Sequence, residues 1–221
     1  MEFQQFSAPM GWLLSDLLLG FAILAFFHLF PTAYRPAICT LRWVLVPYGA
    51  LLAGGISPRF MGLIGINWLT SFGLGLGLIV ALLGLLILVR STTDFIAIDP
   101  ETAGEASPQI GAPSFHNISY KPFSLAPLFA AGAEEFHWSF LRGSLWEILQ
   151  SASHPMDQAA YWAIWLAALL ALPAIFRFRK TLLERFFKII LLLLTTVLFI
   201  YTQNFWLCWL LHGLVLLLLT P

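Results

Sequence analysis

Hydrophobic residues gather in long runs along the chain, and short polar or proline-containing breaks separate these runs. Apolar stretches of roughly 20 residues are typical of helices that cross a membrane. The runs predict seven helices. Five cover 9–30, 41–56, 68–89, 125–149 and 159–176, and the stretch 182–219 holds two more with a break at Gln203-Asn204. The pattern therefore predicts an all-α, polytopic transmembrane bundle with about seven spans.

One connection between these runs, 91–124, is strongly polar. It holds Asp94, Asp99, Glu101 and Glu105 together with several prolines, so it is too polar and too broken to span a membrane. We expect it to lie outside the membrane, either as a solvated linker or as a docking surface for another protein. The whole of 1–221 then forms a single transmembrane domain.

Composition strengthens the membrane interpretation. Of the 221 residues, 60% are hydrophobic and 10% are charged, whereas about 25% of residues in soluble domains are charged. The formal net charge of zero gives no indication of a nucleic-acid partner. Cys39 and Cys208 both lie at or within apolar runs, which favours small buried hydrophobic roles over disulfide or zinc chemistry. Membrane lipids and other membrane protein subunits are the expected partners, and the sequence identifies no cofactor.

The basic residues predict an orientation. With alternating spans, one side of the membrane holds Arg35, Arg42, Arg90, Lys121 and a basic cluster, and the other side holds Arg59. The basic cluster consists of Arg177, Arg179, Lys180, Arg185 and Lys188. Since positive charge is enriched on the cytoplasmic side, we expect the N-terminus outside and the C-terminus in the cytoplasm of a prokaryotic inner or internal membrane. The basic cluster is then expected to face anionic lipid head groups.

The fourth predicted helix, 125–149, carries the chemistry. It contains Glu134, Glu135, His137 and Arg142, and ionisable groups at membrane depth mark a functional site by default. Glu134 and His137 are three residues apart, a spacing that suits a shared metal or proton. Arg142 lies about 10 Å of helix rise beyond Glu135, so a direct ion pair requires both side chains to extend toward each other.

The pair Glu134-Glu135, the later run Arg142-Gly143-Ser144-Leu145, and His212 at the end of a Leu-rich run carry a family resemblance. The chain resembles the CPBP family of intramembrane glutamate endopeptidases, which includes CAAX proteases and bacteriocin-processing enzymes, with the motifs in 125–219. That resemblance implies a polytopic helical core. In an active member it implies Glu134, Glu135 and His212 as catalytic groups, with His137 and Arg142 in support.

The chain also departs from the family pattern. Ser139 stands where the family has Arg, and Arg142 comes three residues later. The family's second motif, Phe-x-x-x-His, is absent, and 159–176 contains no His. Leu216 stands where Asn or Asp is expected after His212. Loss of even one oxyanion donor typically lowers the rate by about 10²–10³.

These departures favour a catalytically degenerate member that serves as a structural or assembly subunit of a larger membrane complex. The first alternative is an active endopeptidase that cleaves lipidated or hydrophobic peptides, with Glu134 as general base and His212 assisting. The second alternative is a module that binds a lipid, a pigment or a quinone. The sequence alone leaves these alternatives open.

Overall fold

The described residues of this computed structural model, 8–31, 34–96, 126–152, 156–178 and 181–219, form helices and short turns and contain no β-strand. The all-α prediction is confirmed for this part of the chain. The helices are α1 (Ala8–Ala25), α2 (Arg35–Leu52), α3 (Trp68–Ile96), α4 (Ala126–Ser151), α5 (Ala159–Phe178), α6 (Leu182–Thr202) and α7 (Phe205–Leu219). A 3₁₀ turn, Phe27–Leu29, follows α1.

Four predicted helix bounds were wrong by four residues or more. The first helix ends at Ala25 instead of residue 30, and α2 covers Arg35–Leu52 instead of 41–56. Pro36 explains the earlier start of α2, because a proline is accommodated in the first turn of a helix, where its missing N–H has no partner to lose. In α3 the helix continues through Ile96, so the start of the predicted polar loop is helical. The rest of that loop, 97–124, lies outside the described residues.

The predicted break between the last two helices is confirmed. Gln203 adopts a left-handed conformation with φ of 46° and ends α6. The Asn204 carboxamide oxygen then accepts hydrogen bonds from the backbone N–H groups of Trp206 (2.9 Å) and Leu207 (3.3 Å) at the start of α7. This is the geometry of a helix N-cap, for which Asn is well suited. The Phe205 N–H also donates to the Gly62 carbonyl at 3.0 Å, which ties the loop before α3 to this turn.

The bundle is arranged around α4. This helix packs against α1, α2, α5 and α7, while α6 packs against α5, α7 and α3. Most of α4 from residue 131 to residue 144 is buried, and its charged side chains therefore lie inside the bundle. The α3 helix is peripheral and packs against α6 and α7.

Three helical segments are long and apolar enough to cross a membrane: Ala8–Ala25, Ala159–Arg177 and Glu184–Thr202. Shorter apolar segments occur at Ala37–Leu52, Trp68–Ala81 and Phe205–Leu217. Large apolar side chains are widely exposed, including Leu69 (88%) and Phe21 (72%), while Glu134, Glu135 and Arg142 of α4 are buried. An apolar exterior around a polar interior fits a membrane-associated protein and would be costly in water.

Candidate functional site

Glu134 lies in a buried contact between three helices. Its Oε2 atom is 2.5 Å from Nζ of Lys188 on α6 and 3.7 Å from Nε2 of His212 on α7. Lys188 Nζ is also 2.8 Å from His212 Nε2. The Trp138 ring stacks on the His212 ring with centroids 5.1 Å apart. These contacts form one polar cluster that links α4, α6 and α7, and we call it the α4–α6–α7 network.

Glu135 and Arg142 form a second ion pair in the same network. Arg142 Nη1 donates to Glu135 Oε1 at 2.6 Å along α4, and Nη2 donates to Thr195 Oγ1 on α6 at 3.3 Å. The Arg142 guanidinium also lies 5.0 Å from the Phe199 ring centroid, a favourable cation–π contact. Both charged side chains are almost fully buried. The direct pair, which requires both side chains to extend toward each other, is therefore present.

The hydrogen-bond partners assign the proton on His212. The ammonium of Lys188 can only donate hydrogen bonds, so Nε2 of His212 must accept. The ring proton then lies on Nδ1, which donates to Glu135 Oε2 at 3.4 Å. His212 thus connects the Glu134–Lys188 pair to the Glu135–Arg142 pair. Two carboxylates and two cations balance within one buried network, as buried charges require.

A separate network surrounds Asp16, at the centre of α1. The Asp16 carboxylate accepts from Arg42 Nε (3.0 Å) and Nη2 (2.6 Å) on α2, and its Oδ2 lies 2.9 Å from His137 Nε2 on α4. Because a carboxylate only accepts, His137 donates through Nε2. The Arg42 guanidinium lies directly over Gly20, where an added Cβ would be 2.6 Å from it. Gly20 therefore makes room for this α1–α2–α4 network.

A cavity of about 190 Å³ lies beside both networks. Its polar wall includes Asp16, Arg42, Glu134 and His137. Apolar residues of α1, α2, α4 and α5 form the remainder, among them Phe21, Trp43 and Leu170. The cavity gives Glu134 and the Asp16 network a common space into which a small molecule could enter.

The structure corrects the predicted basic cluster. Lys188 was expected to face lipid head groups, but it is buried at 4% exposure because it pairs with Glu134 inside the bundle. Arg177 is exposed and Arg185 is partly buried, whereas Arg179 and Lys180 lie outside the described residues. Arg42, counted among the basic residues at one membrane face for orientation, lies within α2 and pairs with Asp16 inside the bundle.

The proposed metal pairing of Glu134 and His137 finds no support. His137 contacts Asp16 at 2.9 Å, and Glu134 contacts Lys188 at 2.5 Å. Across the described segments, no group of three or more His, Cys, Asp and Glu side chains is placed to hold a metal ion. The two side chains do share the cavity wall.

Two functional residues were missed in the sequence, although both carried a signal. Asp16 is the one acidic residue in the apolar stretch 9–30, and a lone carboxylate at membrane depth indicates a buried partner. Lys188, Thr195 and Thr202 follow one another at intervals of seven residues, which places these three polar side chains on one face of α6. All three are buried.

Comparison with known proteins finds no matching family model, no matching curated protein and no matching solved structure. The CPBP resemblance therefore rests on the motif residues, and the function must be argued from the site itself.

Proposed function

We propose that this chain is a multi-pass membrane protein that acts as a structural or assembly subunit of a larger membrane complex. In this proposal all seven helices lie in the bilayer, and the chain is a catalytically degenerate relative of the CPBP family. The observation that carries the proposal is the pairing of the two buried α4 carboxylates with cations, Glu134 with Lys188 and Glu135 with Arg142. Such pairing fits a group of residues that holds helices together.

The pairing argues against water activation. A general base must present an available carboxylate oxygen within hydrogen-bond distance of the water that it deprotonates. Lys188 Nζ lies 2.5 Å from Oε2 of Glu134 and so occupies that atom, which is also the atom nearest to His212. Leu216, in turn, offers no donor for an oxyanion. The residues fit a structural network better than a hydrolytic centre.

The outer surface supports a partner. The peripheral helix α3 exposes Gly73, Gly77 and Gly84, and an added Cβ at any of them would meet no atom within 4 Å. Glycines four and seven residues apart lie on one face of a helix and let a second transmembrane helix approach closely. We therefore propose that α3 faces the neighbouring subunit.

We retain the predicted orientation as part of the proposal, with the N-terminus outside and the C-terminus in the cytoplasm of a prokaryotic inner or internal membrane. Arg177 at the end of α5 remains exposed and supports it. Arg42 and Lys188 no longer contribute to the argument, because both are paired inside the bundle.

Gentle purification from native membranes followed by mass spectrometry tests the proposal. We expect a stoichiometric set of membrane partners. Gly77→Leu should remove that set because the larger side chain blocks close helix approach. Gly11→Leu is the matched control, since Gly11 is also an exposed helical glycine with no atom within 4 Å of an added Cβ. Isolation of the unaltered chain alone and monodisperse would overturn the proposed subunit role.

The second candidate is an intramembrane endopeptidase. It is favoured by the position of Glu134 on the cavity wall and by His212 at 3.7 Å from its carboxylate. Cleavage of a lipidated or hydrophobic peptide that is abolished by Glu134→Gln would establish this function. Absence of turnover over a panel of such peptides by the purified, folded chain would exclude it.

A further inference from the structure

The cavity lies between helices that scarcely touch across it. Its walls come from α1, α2, α4 and α5, yet α1 and α5 form no substantial contact with each other. Residues at this gap are exposed on the outside of the bundle, with Phe21 at 72% and Leu170 at 38%. Since α1 and α5 are both span-length apolar helices, the gap opens toward acyl chains. A ligand that reaches the cavity this way comes from within the membrane.

The inner end of the cavity offers both kinds of hydrogen-bonding group. The Asp16 carboxylate accepts three hydrogen bonds, two from Arg42 and one from His137. A carboxylate has about four acceptor positions, so Asp16 retains one for a further donor, and because its side chain is fully covered in this structure, the neighbouring side chains must move aside for a ligand to reach it. Arg42 uses Nε and Nη2 on Asp16, and a guanidinium has five N–H groups. The Asp16–Arg42 pair can therefore both accept from a ligand and donate to it.

Charge narrows the class of ligand. Asp16 is balanced by Arg42 and Glu134 by Lys188, so the polar wall presents no uncompensated charge. Bringing a charged head group to this depth is costly without a counter-charge. A ligand with only a carbonyl would accept from Arg42 but leave the remaining acceptor position of Asp16 unused. A hydroxyl group donates and accepts, carries no charge, and matches both partners.

The size and lining of the cavity describe the rest of the ligand. A cavity of about 190 Å³ is somewhat larger than an engineered apolar cavity of about 150 Å³ that binds benzene. It therefore holds a hydroxyl and only the first several carbons of a chain. Leu17, Phe21 and Leu24 on α1 face Leu170 and Ala174 on α5 along the apolar wall. The remainder of a chain would leave between these helices.

We propose that this cavity binds an uncharged lipid alcohol that enters laterally from the membrane. Its hydroxyl donates to Asp16 and accepts from Arg42, and its hydrocarbon chain leaves through the gap between α1 and α5. Neither Asp16 nor Arg42 belongs to the motifs that gave the family resemblance. The proposal is independent of the subunit role, because ligand binding by the isolated chain can be measured whether or not partners exist.

The test is photolabelling of the full chain in phosphatidylcholine bilayers, using hexadecanol with a diazirine near its hydroxyl end. We expect the label on peptides that contain Phe21 and Leu170. Unlabelled hexadecanol should compete, whereas hexadecyl methyl ether, which cannot donate a hydrogen bond, and palmitate, which is charged, should not. Ala174→Phe, which fills the cavity, should reduce labelling about tenfold. Ala81→Phe on the exposed surface of α3 is the matched control and should leave it unchanged.

Several outcomes would overturn the proposal. Label spread evenly over exposed helices, including α3, would show only partitioning into the lipid around the protein. Equal competition by the methyl ether would show that the hydroxyl does not bind Asp16, and competition by palmitate would show that the site takes an anion. If Ala174→Phe loses its monodisperse peak in size-exclusion chromatography, the competition series on the unaltered chain decides the result alone.

Discussion

Removal of the Lys188 charge is the sharpest test of the α4–α6–α7 network. In Lys188→Met the side chain keeps a similar length, but Glu134 becomes a buried carboxylate without its cation. Both groups are at most 8% exposed, and removing one partner of a buried ion pair costs about 3–5 kcal/mol. His212 also loses the donor at 2.8 Å from its Nε2, and an unsatisfied buried acceptor costs about 1–3 kcal/mol. We expect a loss of at least about 4 kcal/mol, a large share of a stability of about 5–15 kcal/mol.

The double variant Lys188→Met with Glu134→Gln separates the charge from the packing. It removes both charges, and the side-chain amide of the introduced glutamine has to move about 0.5 Å closer to donate to His212 Nε2, which lies 3.7 Å from the Glu134 carboxylate oxygen in the unaltered protein. Replacement of a whole buried pair is often close to neutral. The double variant should therefore recover most of the loss, within about 1.5 kcal/mol of the unaltered protein, and the coupling free energy between the two positions should be at least about 3 kcal/mol.

Reversible unfolding in mixed micelles with increasing SDS measures these free energies, and the nine tryptophans provide a fluorescence signal. Arg177→Met is the matched control, because it also removes one positive charge but at an exposed position; it should change the stability by no more than about 0.5 kcal/mol. The reasoning is refuted if Lys188→Met behaves like this control, or if the double variant loses the sum of the two single losses.

Two further variants test other parts of the fold. Asp16→Asn leaves the Arg42 guanidinium without a carboxylate, so we expect the free energy of unfolding to fall by about 3 kcal/mol. Maleimide should also label buried Cys39 on α2 faster, and an unchanged labelling rate would contradict a structural role for the pair. Gly62→Ala and Gly54→Ala both place alanine at positive φ (73° and 65°), which costs about 1–2 kcal/mol. Only the methyl group at position 62 would lie 2.7 Å from a neighbouring backbone oxygen, so Gly62→Ala should lower the thermal midpoint further, by an added cost of about 1–3 kcal/mol. Equal midpoints would contradict this reasoning.

The helices could be predicted from the sequence because each one coincides with a continuous run of apolar residues. The break at Gln203-Asn204 was predictable for the same reason: two polar residues interrupt a long apolar stretch, and one of them is a strong N-cap residue. The end of α1 and the start of α2 were predicted less well. Proline both ends helices and starts them, and Pro36 belongs to the helix that follows it.

The partners of the charged groups could not be predicted in the same way. Glu135 and Arg142 lie seven residues apart on one helix, so their pairing was visible as a geometric option. Asp16 and His137 are 121 residues apart, and Glu134 and Lys188 are 54 apart. Which helices become neighbours depends on the packing of the whole bundle, and the hydrophobic pattern of a single sequence does not predict which helices pair. The face of α6 shared by Lys188 and Thr195 was visible, but its partner helix was not.

The long separation between paired charges has a consequence for biosynthesis. If the chain is inserted into a membrane from its N-terminus, Glu134 leaves the ribosome 54 residues ahead of Lys188, its partner on α6. Arg142 pairs with Glu135 within α4, but Glu134 has no cation partner until Lys188 has been synthesised. A charged side chain at the centre of a membrane-spanning helix opposes insertion by about 2.5–3.5 kcal/mol. We expect α4 to remain beside the insertion machinery until α6 arrives. A nascent chain that stops after α5 would then be a substrate for quality-control proteolysis, whereas one that stops after α7 would not.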